Sequence, residues 1–288
     1  VDFRSKEGRG FFRLLKNLVK SSEVFPQCYK LRDLRCDFSQ AREGGGFADI
    51  FEGEYRKRKV CVKAVRMFQK EDNSRMLQTM AKEAVLWAHL THENILPFYG
   101  VYIQQPSGRI CLISPWMDKG DLSKYLSNFP SAPRLPLVLD IIAGLRYLHA
   151  SDIVHGDLKL KNVLMSDNGH ALIADFGISH LVLSTNLSSA QFSNGSTRWM
   201  APELHTVGNR PTLYSDMWSF GCLCHEVFTC KVPFCDLMND YQIYSALMKG
   251  ARRPGDVNQF DGVSITGREM MNKCWNYEPD ARPSCEEI

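Results

Sequence analysis

Asp157, Asn162 and Asp175 place three oxygen-bearing side chains within a short span, five (162 − 157) and eighteen (175 − 157) residues from the first. Carboxylate and amide oxygens are hard donors, and magnesium takes one or two of them when substrate phosphates complete its shell. On that chemistry Asn162 and Asp175 suit Mg2+, which leaves Asp157 to orient a hydroxyl. Taken singly, each residue is better explained as a solvated loop polar. The ordered set is not.

The elements that must hold these groups are written around them. Apolar Ile153 and Val154 before the polar stretch, and Val163 and Leu164 after it, predict short buried strands that fix the intervening residues in a turn facing a cleft. Leu137, Ile141, Leu145 and Leu148 recur at helical spacing after Pro136, so a helix over 135–149 leads straight into that turn. The run from Tyr214 to Gly221 opens a nearly wholly apolar helix, predicted to be buried; its Asp216 must then be hydrogen-bonded to be tolerated. Residues 178–200 are rich in Ser, Thr and Asn, too polar to pack, and suit a substrate-facing loop. Further upstream, the glycine-rich stretch 44–53 precedes Val60-Cys-Val-Lys63, a β-type run ending in a lysine. Glycines let a backbone approach phosphates and leave amides free to bond them, although a glycine cluster alone is weak evidence.

In this order, His155-Gly-Asp157-Leu-x-x-x-Asn162, Asp175-Phe-Gly177 and Ala201-Pro-Glu203 resemble the signature set of the protein kinases, a resemblance that covers most of the chain. It implies an α+β, bilobal protein kinase fold, with a small mainly β N-lobe carrying one helix and a larger mainly α C-lobe. By the same resemblance Asp157 accepts the substrate hydroxyl, Lys159 steadies the transferring phosphoryl, and Asn162 and Asp175 bind magnesium. Lys63 contacts the α and β phosphates of ATP, with Glu83 as its acidic partner on a helix over 75–90. Gly44, Gly45, Gly46 and Phe47 cover the nucleotide, and Ile50, Cys61 and Leu164 sandwich adenine. Ser114 gates the back pocket, while Pro115 and Met117 offer hinge carbonyl and amide. Ser196 steadies Asp157 and Lys159, Asp216 braces the catalytic loop, and Arg282 pairs with Glu203.

The pattern has departures: Glu43 and Ala48 stand where the first and third loop glycines usually do, and Gly156 where many kinases carry arginine. Lys159 resembles serine/threonine kinases; Trp199-Met200 and Cys274-Trp275 are similar to the tyrosine kinase-like group. The resulting expectation is a Ser/Thr-specific enzyme of that group, acting on protein substrates in signalling with ATP and Mg2+ as cofactors. A pseudokinase scaffold, motivated by the departures, is the alternative, and a small-molecule kinase a third reading.

Composition narrows the remainder. In 288 residues with 44% hydrophobic content, roughly 75% of the unfolded surface can be buried, enough for a self-sufficient core. A formal charge of +3 is too small to argue for nucleic acid as a partner, and no signal pattern or long apolar run directs the chain to a membrane, so a cytoplasmic protein is expected. The ten cysteines lack zinc spacing and read as reduced core residues, and the sequons at Asn186 and Asn194 are expected to be unmodified. Residues 1–36 carry nine basic and four acidic residues and differ from the body. There Phe11, Leu14, Leu15, Leu18 and Val19 predict a basic amphipathic helix that docks on the neighbouring lobe or meets a partner protein or anionic lipid. The expected organisation is this extension at 1–36 and a kinase domain at 37–288, with N-lobe 37–114, hinge 115–120 and C-lobe 121–288. The capping box at Ser284-Cys-Glu-Glu287 predicts a helix start just before the sequence stops, so the sequence reads as a fragment.

Overall fold

The computed structural model describes residues 29–44, 48–66, 84–175, 196–206, 208–250 and 252–288. The predicted basic helix, Gly45, Gly46, Phe47, Glu83, both sequons and the hydroxyl-rich loop up to 195 lie outside them. Two compact units divide the chain, Val1–Met117 and Asp118–Ile288, the first built on a sheet and the second mainly helical, consistent with a kinase fold.

The sheet of the first unit is antiparallel throughout. Its strands are β1 (Arg35–Cys36), β2 (Glu43–Gly44), β3 (Ala48–Tyr55), β4 (Arg58–Val65), β5 (Gly100–Gln104) and β6 (Arg109–Pro115), in the order β1-β3-β4-β6-β5 with β2 also on β3. A two-residue turn joins β3 to β4; both its residues, Arg56 and Lys57, are left-handed at φ +50° and +62°. Such a turn matches the twist of the strands it joins. Side chains alternate along each strand, so the register decides which residues share a face. Phe51, Val60, Val62, Ala64, Cys111 and Ile113 form the core face, covered by Leu31, Leu34, Phe38 and Tyr102. The opposite face carries Ile50 paired with Lys63, Lys63 with Leu112, and Cys61 with Ser114. Of the helix predicted over 75–90, residues 84–88 are described and helical, with Ala84 and Val85 fully buried.

The second unit is organised by α1 (Leu122–Asn128), α2 (Arg134–His149), α3 (Leu213–Thr229), α4 (Asp240–Met248) and α5 (Ile265–Cys274), with a small hairpin of β7 (Val163–Met165) and β8 (Ala171–Ile173). As the spacing predicts, α2 buries Leu137, Ile141, Leu145 and Leu148. Its Asp140 also accepts the backbone N–H of Ala171 at 2.9 Å, which ties the hairpin to the helix. Helix α3 is buried from Ser215 to Val227, and Thr212 and Ser215 cap its first turn reciprocally. Two expectations need correction. Ile153 and Val154 form no strand, because the N–H of His155 turns inward to a side chain instead of a neighbouring strand. The cysteines are not all core residues: Cys111, Cys222, Cys224, Cys274 and Cys285 are buried, but Cys230 and Cys235 are exposed. Burial pushes the Cys111, Cys274 and Cys285 thiols up to about 12, which leaves them unreactive.

Arg282 closes the base of this unit. Its side chain is fully buried and grips Glu203 with two bonds of 2.7 Å, while donating also to the carbonyls of Tyr214 and Asn276. Removing Glu203 leaves that guanidinium buried without its counter-charge. Glu203→Ala is expected to lower the unfolding free energy by about 3 kcal/mol, the low end for breaking a buried pair because the carboxylate is partly exposed. Urea denaturation should show a lower midpoint at an unchanged slope; a loss below about 1 kcal/mol, the scale of a surface pair, would contradict this account.

Candidate active site

In the second unit, the polar stretch after α2 is held from beneath by one carboxylate. Asp216, 1% exposed in the first turn of α3, accepts the backbone N–H of His155 at 2.7 Å, that of Gly156 at 2.8 Å, and contacts His149 Nε2 at 3.0 Å. The hydrogen bonding that its burial demands is therefore met by the loop itself. Gly156 stands at φ +77°, a left-handed conformation that glycine adopts without the steric cost of a side chain.

His155 is fully buried, and burial pushes its pKa down, so the ring is neutral. Its Nδ1 accepts from the N–H of Asp157 at 3.2 Å, which leaves Nε2 to donate to the carbonyl of Ala174 at 3.0 Å. Ala174 in turn donates to the carbonyl of Asn162 at 2.9 Å. These bonds lock the residue before Asp175 to the loop that carries Asp157 and Asn162. Asp175 itself is half-buried at φ +58°, a strained position for a residue with a side chain.

The side chains of Asp157, Lys159 and Asn162 are mutually fixed. Asn162 Nδ2 donates to the Asp157 carbonyl at 2.7 Å and to its Oδ2 at 2.9 Å. Lys159 Nζ lies 3.0 Å from Oδ1 and 2.8 Å from Oδ2 of Asp157, and donates to Ser196 Oγ at 2.7 Å. The loop that carries Asp157 and Asn162 is thereby joined to the segment that leads into Ala201-Pro-Glu203. Among the described residues no group of three or more His, Cys, Asp or Glu could hold a metal ion. The donor set present fits magnesium in another way: with Nδ2 turned to Asp157, Asn162 keeps its amide oxygen as an acceptor, and Asp175 adds a second hard oxygen.

In the first unit, the sheet face opposite the core gathers Ile50, Cys61, Lys63 and the buried Ser114. Gly44 lies in β2, opposite Asp49, and the exposed Glu43 pairs with Ile50. Pro115 ends β6, and Met117 follows it half-buried. In the second unit Leu164 lies on β7, paired with Leu172. Sequence reasoning missed Glu226, whose buried carboxylate accepts from the indole of Trp199 at 2.6 Å and from the N–H of Leu160 at 3.3 Å. The signal that could have found it is the one that marked Asp216, an acid inside an apolar helix.

Residues 38–288 match the family described as "Protein tyrosine and serine/threonine kinase". The chain is similar to "Serine/threonine/tyrosine-protein kinase HT1" of Arabidopsis thaliana, 31% identical over 88% of this chain and 65% of the relative. It is also similar to two further proteins of that plant, "Serine/threonine-protein kinase STY17" and "Serine/threonine-protein kinase STY46", each 27% identical. These cover 85% and 87% of this chain but only 42% of either relative's length. The chain therefore spans less than two thirds of the curated relatives it matches. On the match to 38–288, together with the ordered motifs and the braced loop between α2 and β7, the chain belongs to the protein tyrosine and serine/threonine kinase family.

Proposed function

We propose that this domain transfers the γ-phosphoryl of ATP to serine and threonine hydroxyls of protein substrates, as a cytoplasmic signalling enzyme of the tyrosine kinase-like group. The observation that carries the reading is Lys159, whose ammonium bonds both the Asp157 carboxylate and the Ser196 hydroxyl. Asp157 orients the attacking hydroxyl and takes its proton. Lys159 sits beside it, where charge on the transferring phosphoryl can be offset. Lys63, a compact point charge on the sheet face that also carries Ile50 and Cys61, holds the α and β phosphates, with Glu83 as its partner. Asn162 and Asp175 hold magnesium, which when bound neutralises charge across the phosphates. The relatives' printed names, serine/threonine in two cases and serine/threonine/tyrosine in the third, support hydroxyl transfer and make tyrosine a residue to include among acceptors.

Lys63→Met and Asp175→Ala are each expected to lower phosphoryl transfer by a factor on the order of 10² to 10³, the scale for losing a preorganised electrostatic contact. A magnesium-dependent ATP turnover assay with Ser, Thr and Tyr peptides measures this. Full activity in either variant would exclude the assigned nucleotide site, whereas an inactive parent that still binds partners would favour the pseudokinase.

Gly156 carries a regulatory consequence. Where arginine precedes the catalytic Asp it serves as a receptor for activation-loop phosphate, through charge-assisted hydrogen bonds; glycine has no charge to satisfy. Arg198, the nearest basic residue to the loop in sequence, already donates to the carbonyls of Pro233, Phe234 and Leu237 at 3.1, 2.7 and 2.9 Å. Activity is thus expected without phosphate on Ser184, Thr185, Ser188, Ser189 or Ser193. Phosphatase treatment, checked by mass spectrometry, should leave the initial rate within about threefold, well under the cost of one charge-assisted bond. A fall of about tenfold that rephosphorylation reverses would contradict it.

A further inference from the structure

Glu226 has no role in the chemistry above, yet it is an acid with 7% exposure in the last turns of α3. A carboxyl in that environment is costly unless hydrogen-bonded, and its partners are informative. The same oxygen, Oε2, accepts from Trp199 Nε1 and from the backbone N–H of Leu160. Leu160 immediately follows Lys159 and opens a 3-10 turn, Leu160–Asn162; Trp199 closes another, Thr197–Trp199, immediately after Ser196. One atom therefore joins the two segments whose Lys159 and Ser196 side chains meet at 2.7 Å. Helix α3 grips Trp199 a second time, since Ser219 Oγ donates to its carbonyl at 2.8 Å.

We propose that Glu226 is a positioning residue: its carboxylate clamps the catalytic loop at Leu160 to the substrate-side segment at Trp199, sets the Lys159 to Ser196 contact, and weakens its hold when it takes up a proton. The effect on rate rests on the phosphoryl-transfer reading; the effect on Trp199 does not.

The groups that face Glu226 are Lys159 and Lys161 from the catalytic loop, the Trp199 indole from the turn, and Cys222 from its own helix. Burial is the largest influence and pushes the carboxyl up to about 7; the two hydrogen bonds and the two lysines pull it back down. A folded value above the ordinary 4.5 means that the fold holds this proton more tightly than the unfolded chain does. The contribution to stability is full below the ordinary value and is lost as pH rises through about 7. The clamp follows the opposite course, because an ionised oxygen accepts charge-assisted bonds that a neutral one does not. Over one pH window the site tightens while the fold gives up stability.

Glu226→Gln separates these effects: its amide oxygen still accepts both bonds, but no charge titrates. Indole N–H resonances of the full chain, labelled with 15N-tryptophan and assigned through Trp199→Phe, are followed from about pH 6 to 8, the window around the shifted group. The Trp199 signal of the unaltered protein should move with a midpoint near 7 and stay flat in E226Q. At the alkaline end kcat should be about fivefold lower in E226Q with KM for ATP unchanged, the kinetic scale of turning a charge-assisted bond neutral. The acid limb of the rate profile should vanish, and the melting temperature of E226Q should gain on the parent as pH rises. A Trp199 resonance that does not titrate in the parent, or titrates equally in E226Q, overturns the clamp. A resonance that titrates while kcat ignores both pH and the substitution overturns the positioning role. If the parent transfers no phosphoryl at any pH, the functional reading fails, and the indole titration still decides the clamp. That titration needs only the parent, should E226Q fold poorly.

Discussion

The second unit depends on a carboxylate placed where water cannot reach it. Asp216 is tolerated in the first turn of α3 because the N–H groups of His155 and Gly156 point at it, and those N–H groups are tolerated because Asp216 is there. Neither half is stable alone: an unpaired buried acid or two orphaned amides would each cost free energy comparable to a lost hydrogen bond or more. The outcome is a loop whose path is set by a rigid helix and not by a strand ladder. Everything that follows along the chain, from Asp157 to Asn162, inherits that placement.

A second layer of fixation runs through neutral groups. His155 is pinned between the Asp157 amide and the Ala174 carbonyl, and burial keeps it uncharged, so its two ring nitrogens have opposite roles. It carries position from the loop of Asp157 to the segment of Asp175 without adding a charge between them. Asp157 and Lys159 form an ion pair on the loop, Asp216 braces the loop from beneath, and Glu226 is a further acid buried in the scaffold.

How much of this was legible in the residues follows from what each signal depends on. The helix at 134–149 and the burial of α3 were readable because a 3.6-residue period or an unbroken apolar run is a local pattern. Asp216 was readable because an acid in such a run demands a partner. Ile153 and Val154 misled because an apolar pair has the same appearance in a strand and in an extended segment pinned by a distant side chain; only the destination of the His155 N–H distinguishes them. Cys230 and Cys235 misled because a small apolar residue carries no mark of exposure, and Cys230 in fact caps α3 in a left-handed conformation. The Trp199 to Glu226 bond joins residues 27 apart through two side chains, and nothing in either neighbourhood names the other.

The turn at Arg56 and Lys57 has a consequence for how this domain can vary. Its two left-handed residues set the frame in which β4 meets β3, and in a strand the side-chain period is two. A one-residue shift of β4 against β3 would therefore turn that strand over, sending Val62 to the face that carries Ile50 and the lysine into the cluster of Phe51, Val60 and Ile113. Core packing and the placement of Lys63 would be lost in the same event. A change of length in this hairpin is thus tolerated only where the turn absorbs it and the register stands, and drift in register is policed by the core itself.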